Sequence, residues 1–191
     1  MRNLVYAMGV SLDGFIAGPN GEIDWSAPDE ELHQFHNQQT RETGLHLYGR
    51  GLYEAMAPWE DAEQRPSATA EVLEFARLWK QMPKLVFSTT LDEVRGTNLR
   101  LARGSLADEV VALKQQPGQD LAVGGAGLAA SLTELGLIDE YRMFVNPVVL
   151  GGGTPYFASP PERIDLELVE TRTFSQVVYL RYRRASEGQS R

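Results

Sequence analysis

The stretch Leu121-Ala122-Val123-Gly124-Gly125-Ala126-Gly127-Leu128 decides how this chain reads. A short apolar run ends in a glycine cluster and feeds a segment of helical character. A strand, a tight glycine turn and a helix start let backbone N–H groups approach an anion with no Cβ in the way, and they aim the helix dipole at it. That is how a chain cradles a pyrophosphate. Gly125, Gly127 and Ala130 also fit the loose G-x-G-x-x-A pattern, and close packing of a helix N-terminus accounts for such glycines equally well.

Length and composition frame this stretch. The 191 residues fit one domain. Hydrophobic content of 42% with 23% charged residues is that of an ordinary soluble globular domain, and no apolar run approaches the roughly 18 residues of a membrane span. The opening Met1-Arg2-Asn3-Leu4-Val5-Tyr6 passes straight into a strand-like run with no signal-peptide core, so the expectation is a cytoplasmic protein with no membrane partner. With no cysteine, disulfides, thiol catalysis, iron–sulfur clusters and thiolate zinc sites are excluded. A net charge of −8 argues against nucleic-acid binding, which relies on a basic surface. It does not argue against a phosphorylated cofactor, for which a few arginines suffice.

Along the chain, residues 3–10 read as a buried strand, residues 11–14 as a turn and residues 15–17 as a short apolar return. A helix is expected from Ser26 as N-cap, with Pro28 in its first turn and Asp29 completing a capping box, to about Thr43. Residues 45–48 form a strand, 57–66 a loop, 70–82 a helix stopped by Pro83, and 84–88 another strand. Ser105 and Asp108 box a helix over 105–116. A strand at 120–123 precedes the glycine turn, and a helix over 128–135 closes at Gly136. Residues 141–145 are a strand, and 165–173 with 177–184 pair as an antiparallel hairpin. Residues 186–191 read as a flexible tail after one domain over 1–185. Strands alternating with helices, then a hairpin, give a single α/β domain with a mixed, mostly parallel sheet flanked by helices.

Phosphate-friendly turns follow three of the strands: Gly49-Arg50-Gly51, Ser88-Thr89-Thr90 and the Gly124 cluster. In an open α/β sheet ligands bind beyond the carboxyl ends of the strands, so three such turns can converge on one extended anion such as a dinucleotide. Taken singly, each is also ordinary turn chemistry.

Read in order, Ser11-Leu12-Asp13-Gly14-Phe15-Ile16-Ala17, Gly49-Arg50, Tyr53-Glu54, Val86-Phe87-Ser88-Thr89-Thr90-Leu91, Gly124-Gly125-Ala126-Gly127-Leu128, Ile138-Asp139-Glu140 and Pro147-Val148-Val149-Leu150-Gly151-Gly152-Gly153 resemble the dihydrofolate reductase-like fold. Within it they resemble the reductase domain of bifunctional riboflavin-biosynthesis proteins and its stand-alone relatives. The resemblance covers about residues 3–184. It implies NADPH as cofactor, with NADH as the second choice, and a pterin-like or pyrimidine-like substrate. It places Ala7 and Ile16 against the nicotinamide, and Gly49, Arg50 and Gly51 at the adenine-side phosphates. Ser88, Thr89 and Thr90 fall at the adenosine ribose or its phosphate, and Gly124, Gly125, Ala126, Gly127 and Leu128 around the pyrophosphate. Trp25 and Asp29 fall near the aromatic and the carboxylate with which folate-reducing members orient substrate and relay a proton. Asp29 is equally a helix-capping carboxylate, and Glu30 or Glu31 fits the same place. Relatives also imply a homodimer.

Two departures stand out. Leu52 replaces a threonine common in relatives, and Thr89 replaces a basic residue, which puts NADPH preference over NADH in doubt. Tyr53 and Tyr156, each after a glycine-bearing turn, are further substrate-pocket candidates. Trp79 reads as core, Asp13 as a turn former, and His33 with His36 as a solvated helix face rather than a metal site. The function expected is an NAD(P)H-dependent reductase acting on a planar heterocycle or a small carbonyl or imine compound. The alternative is a non-catalytic nucleotide-binding sensor or scaffold. A Rossmann-type enzyme is disfavoured, because its glycine fingerprint opens the first βαβ unit.

Overall fold

The fold, a computed structural model, describes residues 1–185 apart from residues 65, 67, 159 and 161, so the expected tail lies outside the described residues. In chain order the strands are β1 (Leu4–Ser11), β2 (Phe15–Ala17), β3 (Thr43–Gly49), β4 (Lys84–Phe87), β5 (Leu99–Leu101), β6 (Asp120–Gly124), β7 (Glu140–Asn146), β8 (Thr154–Pro155), β9 (Leu166–Phe174) and β10 (Val177–Arg184). The α-helices are α1 (Glu30–Arg41), α2 (Arg50–Met56), α3 (Ala70–Gln81), α4 (Leu106–Gln115) and α5 (Ala126–Glu134).

Eight strands form one sheet in the order β5-β4-β3-β6-β1-β7-β10-β9, and β2 pairs with β8 beside it. From β5 to β7 neighbouring strands are parallel, whereas β10 is antiparallel to both β7 and β9. β1 is central because its run is apolar on both faces, as a strand covered on both sides must be. One face carries Leu4, Tyr6 and Val10 with Leu121 and Val123 of β6, packed against Val110 and Leu113 of α4 and Ala129 and Leu132 of α5. The other face is covered by α1 and α3, which pack on each other.

Local chemistry explains most element ends. Ser105 caps α4 by accepting from Asp108 N and donating to its carboxylate, the expected box. α1 begins later than expected: Asp29, not Ser26, is its N-cap, accepting from Leu32 N at 2.9 Å, while Ser26 closes a 3-10 turn on Ile23 O. A carboxylate one residue past Pro28 caps well, and Ser26 has already turned its hydroxyl backwards. The expected loop at 57–66 is largely a 3-10 helix over Ala57–Gln64, preceded by α2, which the glycines of the 49–51 turn concealed. The short edge strand β5 was also not expected. Among the described residues no helix is long and apolar enough to cross a membrane.

Candidate functional site: a glycine cradle beside an α1-covered cavity

The three phosphate-friendly turns follow β4, β3 and β6, which are adjacent in the sheet, so all three open on one stretch of its carboxyl edge. They touch one another. Arg50 Nη1 donates to Thr90 Oγ1 at 3.0 Å while its Nε pairs with Glu54 at 2.7 Å. A Cβ on Gly49 would lie 3.4 Å from Leu128 Cβ. Ser88 Oγ accepts from Thr90 N and Leu91 N, which holds the 88–90 turn in shape, and Thr89 and Thr90 are exposed.

The glycine cluster has three distinct jobs. A Cβ on Gly124 would meet the tip of the Leu52 side chain, which would have to turn aside. Gly125 sits at φ +89 as the N-cap of α5 and offers no side chain to the first turn, whereas α1, α3 and α4 are capped by Asp29, Thr69 and Ser105. Gly127 is exposed, and nothing lies within 4 Å of where its Cβ would be. The result is a helix start without a side-chain cap and with open space at Gly127. Ala126 and Leu128 contribute backbone only, since the Leu128 side chain is 9% exposed in the core.

A cavity of about 790 Å3 lies between the sheet and α1 with α3, and none of residues 49–51, 88–90 or 124–128 lines it. It is of ligand size. It exists because the α1-facing positions of β1 and β6 are small: Val5, Ala7 and Gly9 on one, Ala122 on the other. Pro28, His33, His36, Gln39 and Thr40 roof it, Met56, Trp59, Val72 and Phe75 close one side, and His46 rises from β3. Arg142 and Phe144 of β7 and Arg181 of β10 form the opposite wall, and Asp120, Glu42 and Thr43 mark its end at the amino edge.

All three histidines of the chain therefore line one cavity, which corrects the expectation that His33 and His36 form a solvated helix face. The helical period that looked polar was aimed at a hollow in the sheet. His36 stacks against Phe144 with ring centroids 4.4 Å apart, and His33 meets Phe75 edge-on at 6.2 Å. Burial pushes His36 down to about 4, helped by His33, and His46 down to about 3, helped by Lys84. His33 is lowered by burial too, against the pull of Glu71 and Glu74. No group of three or more His, Asp or Glu among the described residues is placed to hold a metal ion.

Other expected site residues fall as follows. Ala7 lines the cavity and Ile16 is packed in the main core. Trp25 is half-buried in the 3-10 turn Asp24–Ser26, its indole N–H donating to Glu22 O at 3.0 Å. Tyr53 OH bridges Arg95 N and Arg95 O, and Tyr156 OH, 3% exposed overall, donates to Tyr6 O and Arg142 O. Asp29, Trp25, Tyr53 and Tyr156 do not line the cavity. Arg142, Arg181, Phe144 and His46 do and were not expected; the alternation of small residues on one face of β1 and β6 was the available clue.

Together these features define an α/β domain of the dihydrofolate reductase fold, with a glycine-rich helix start at the carboxyl edge of the sheet and a cavity covered by α1. A dihydrofolate reductase from Enterococcus faecalis, complexed with NADP(H) and RAB-propyl, is similar in structure over 96% of this chain and 97% of that one, with a TM-score of 0.62 at 15% identity. The chain belongs to the RibD C-terminal domain family, whose sequence model matches residues 2–180. A putative riboflavin biosynthesis protein from Shewanella sp. PV-4 covers 97% of this chain and 100% of its own, with a TM-score of 0.75 at 22% identity. The uncharacterized protein YyaP of Bacillus subtilis strain 168 is 37% identical over 188 residues, 93% of this chain and 94% of YyaP.

Proposed function

We propose that this chain is an NAD(P)H-dependent reductase that binds its cofactor across the three turns and its substrate in the cavity under α1. One observation carries this reading. Tyr6 pairs with Val123, so Ala7 on the cavity floor stands beside Gly124 at the start of the cradle. An elongated cofactor in the cradle thus has its reactive end next to a ligand-sized hollow.

The residues fit NADPH by their free donors. The open start of α5 at residues 125–128 would take the pyrophosphate, Arg50 and Thr90 a phosphate on the adenosine side, and Ala7 with Ile16 one face of the nicotinamide. Bound there, NADPH would supply a hydride. The chain's own contribution is alignment and exclusion of water: α1 and α3 roof the cavity, and small floor residues let a flat ring lie against β1. Asp29, which holds the first turn of α1, acts in this reading as a positioning residue, and the protic groups of the wall are the histidines, Thr40 and Thr43. A homodimer belongs to the same proposal. β9 ends the sheet order, and Leu168, Val169 and Val178 are exposed near that edge; light scattering reads the outcome directly.

Titration with NADPH and NADH, followed by tryptophan quenching and then by cofactor consumption with pterin, pyrimidine and small carbonyl compounds, tests the reading. Micromolar binding with turnover of one compound class is expected. Binding without turnover would favour a sensor, and no binding of either nucleotide would overturn the proposal.

A further inference from the structure

The row of the sheet that carries Ala7 continues onto two arginines. Arg142 of β7 lies opposite Ala7, Arg181 of β10 lies opposite Arg142, and Glu170 of β9 lies opposite Arg181. Neighbouring strands stand about 4.8 Å apart, so one guanidinium group is rooted a single strand away from the cavity floor and a second one strand beyond it. Both arginines line the cavity.

Their pairing leaves donors unused. Glu140 is 7% exposed, and its two oxygens are taken by Arg142 Nε at 2.6 Å and Arg181 Nη2 at 2.8 Å. Among the described residues Arg142 donates through Nε alone, so the N–H groups on its two terminal nitrogens have no protein acceptor, although the side chain is only 17% exposed. Arg181 Nε is buried without a hydrogen-bond partner. A buried polar atom in that state calls for a partner.

The charge balance says which partner. Glu140 cancels one of the two guanidinium charges, and Glu170 is taken by Arg172 at 2.5 Å while reaching Arg181 only at 3.8 Å. One positive charge is left over. Two other acids line the cavity, Asp120 and Glu42, but at the amino edge of the sheet, where they accept from Asn3 and Gln38. The end of a guanidinium group is a planar fork that matches a carboxylate with two parallel N–H bonds. A phosphate monoester, with a charge of about −1.5 to −2, would bring surplus negative charge against the buried Glu140 carboxylate. A neutral group would leave the extra positive charge unpaired.

We propose that Arg142 and Arg181 form a carboxylate subsite in the cavity wall: it takes a ligand with one carboxylate attached close to a flat ring that rests on Ala7, in preference to the neutral or phosphorylated counterpart. Its bearing on catalysis rests on the cavity under α1 being the substrate site of the reductase.

The test uses three probes built on one ring, 2-naphthoate, 2-naphthamide and 2-naphthyl phosphate, titrated calorimetrically into the full chain with and without NADPH at about pH 8, where the phosphate is fully ionised. Naphthoate is expected to bind about tenfold tighter or better than either of the others, and to shift the side-chain NMR signals of Arg142 and Arg181. Arg142→Gln should abolish the advantage over the amide. Glu140→Gln, which keeps the size of the side chain and releases the second positive charge, should move the preference toward the phosphate. The ranking by the unmodified protein decides the matter even where a variant folds poorly. Binding of the amide or the phosphate as tightly as naphthoate, no binding of naphthoate, or unchanged naphthoate affinity in a folded Arg142→Gln would each overturn the inference. NADPH binding measured on the same samples keeps the two claims apart, since it can succeed while the inference fails, and the reverse.

Discussion

Asp13 accepts hydrogen bonds from Gly151 N at 2.7 Å and from Leu150 N at 3.1 Å, so the turn after β1 and the glycine-rich loop after β7 form one unit. Ser11 Oγ donates to the same carboxylate at 2.7 Å and accepts from Phe15 N. The clamp stands at the carboxyl edge of β1. The hydrogen bond from Ser11, then those from Leu150 and Gly151, hold the Asp13 carboxyl below its ordinary range.

A carboxylate whose folded pKa is depressed stabilises the fold above its unfolded value, about pH 4, and that contribution is lost as pH falls through the folded value. Asp13→Asn should therefore lower Tm at neutral pH, and the gap to the unmodified protein should narrow as the pH drops below about 4. Thermal melts across that range check it; a gap of constant size would show that the charge on Asp13 plays no part.

Gly153 stands where β8 meets β2. Its φ is +127, and a Cβ there would collide with the Ala17 carbonyl. Gly151 is also left-handed, at φ +74, but has nothing within 4 Å of its Cβ position. Gly151→Ala should cost about 1 kcal/mol from backbone strain alone, and Gly153→Ala about 3 kcal/mol or more, because strain and a backbone clash add. Denaturant unfolding of the two variants measures the difference, and equal costs would contradict the packing of β8 on β2.

The cradle can be probed at Gly127 without disturbing the fold. Gly125 is the poorer choice, since its φ of +89 and the Leu52 Cβ 3.4 Å from its Cβ position strain any substitution. Gly127→Asp should leave Tm unchanged or raised, because a carboxylate suits a helix N-terminus, while weakening NADPH by about tenfold or more through repulsion of the pyrophosphate. Arg50→Ala should weaken NADPH more than NADH. Unchanged NADPH affinity in a folded Gly127→Asp would remove the cradle from the cofactor site.

Lys84 is 1% exposed, with its ammonium donating to Trp79 O and Met82 O and lying 4.2 Å from the Trp79 ring centroid. It ties the end of α3 to β4. Burial lowers its pKa from 10.5 to about 8, with Glu60 opposing. Between those values the unfolded chain binds more protons than the folded one, so this group's contribution to stability rises with pH across the window. Lys84→Met should cost about 1–3 kcal/mol at neutral pH by orphaning two carbonyls. The stability difference between the unmodified protein and the variant should grow from pH 8 to pH 10.5; a flat difference would mean that the ammonium is not buried.

Much of the fold was legible because its markers act over a few residues. The Ser105–Asp108 box, Gly136 at φ +67 after α5 and the alternation of the closing hairpin each fix a local conformation. The convergence of the 49–51, 88–90 and 124–128 turns was also readable, since parallel strands send their following turns to one edge. Asp29 was harder, because the same carboxylate reads as cap or as acid until its hydrogen bond is seen. The histidines were harder still: His33 and His36 have a polar-looking helical spacing, and the hollow they face is made by Ala7, Gly9 and Ala122 on other elements.

The sequence by itself determined most of the strands and helices, the glycine turns and the resemblance that places the chain in its family, since these rest on short-range sterics, capping and periodicity, whereas β5, α2 and the 3-10 helix over Ala57–Gln64 escaped it. Tertiary structure alone decided that β6 lies between β1 and β3, that Arg142 and Arg181 face each other across Glu140, and that the three histidines share one cavity. The physical reason is register. Which side chains meet across strands, and which helix roofs which face, depends on pairings between residues far apart in the chain, and no local propensity encodes them.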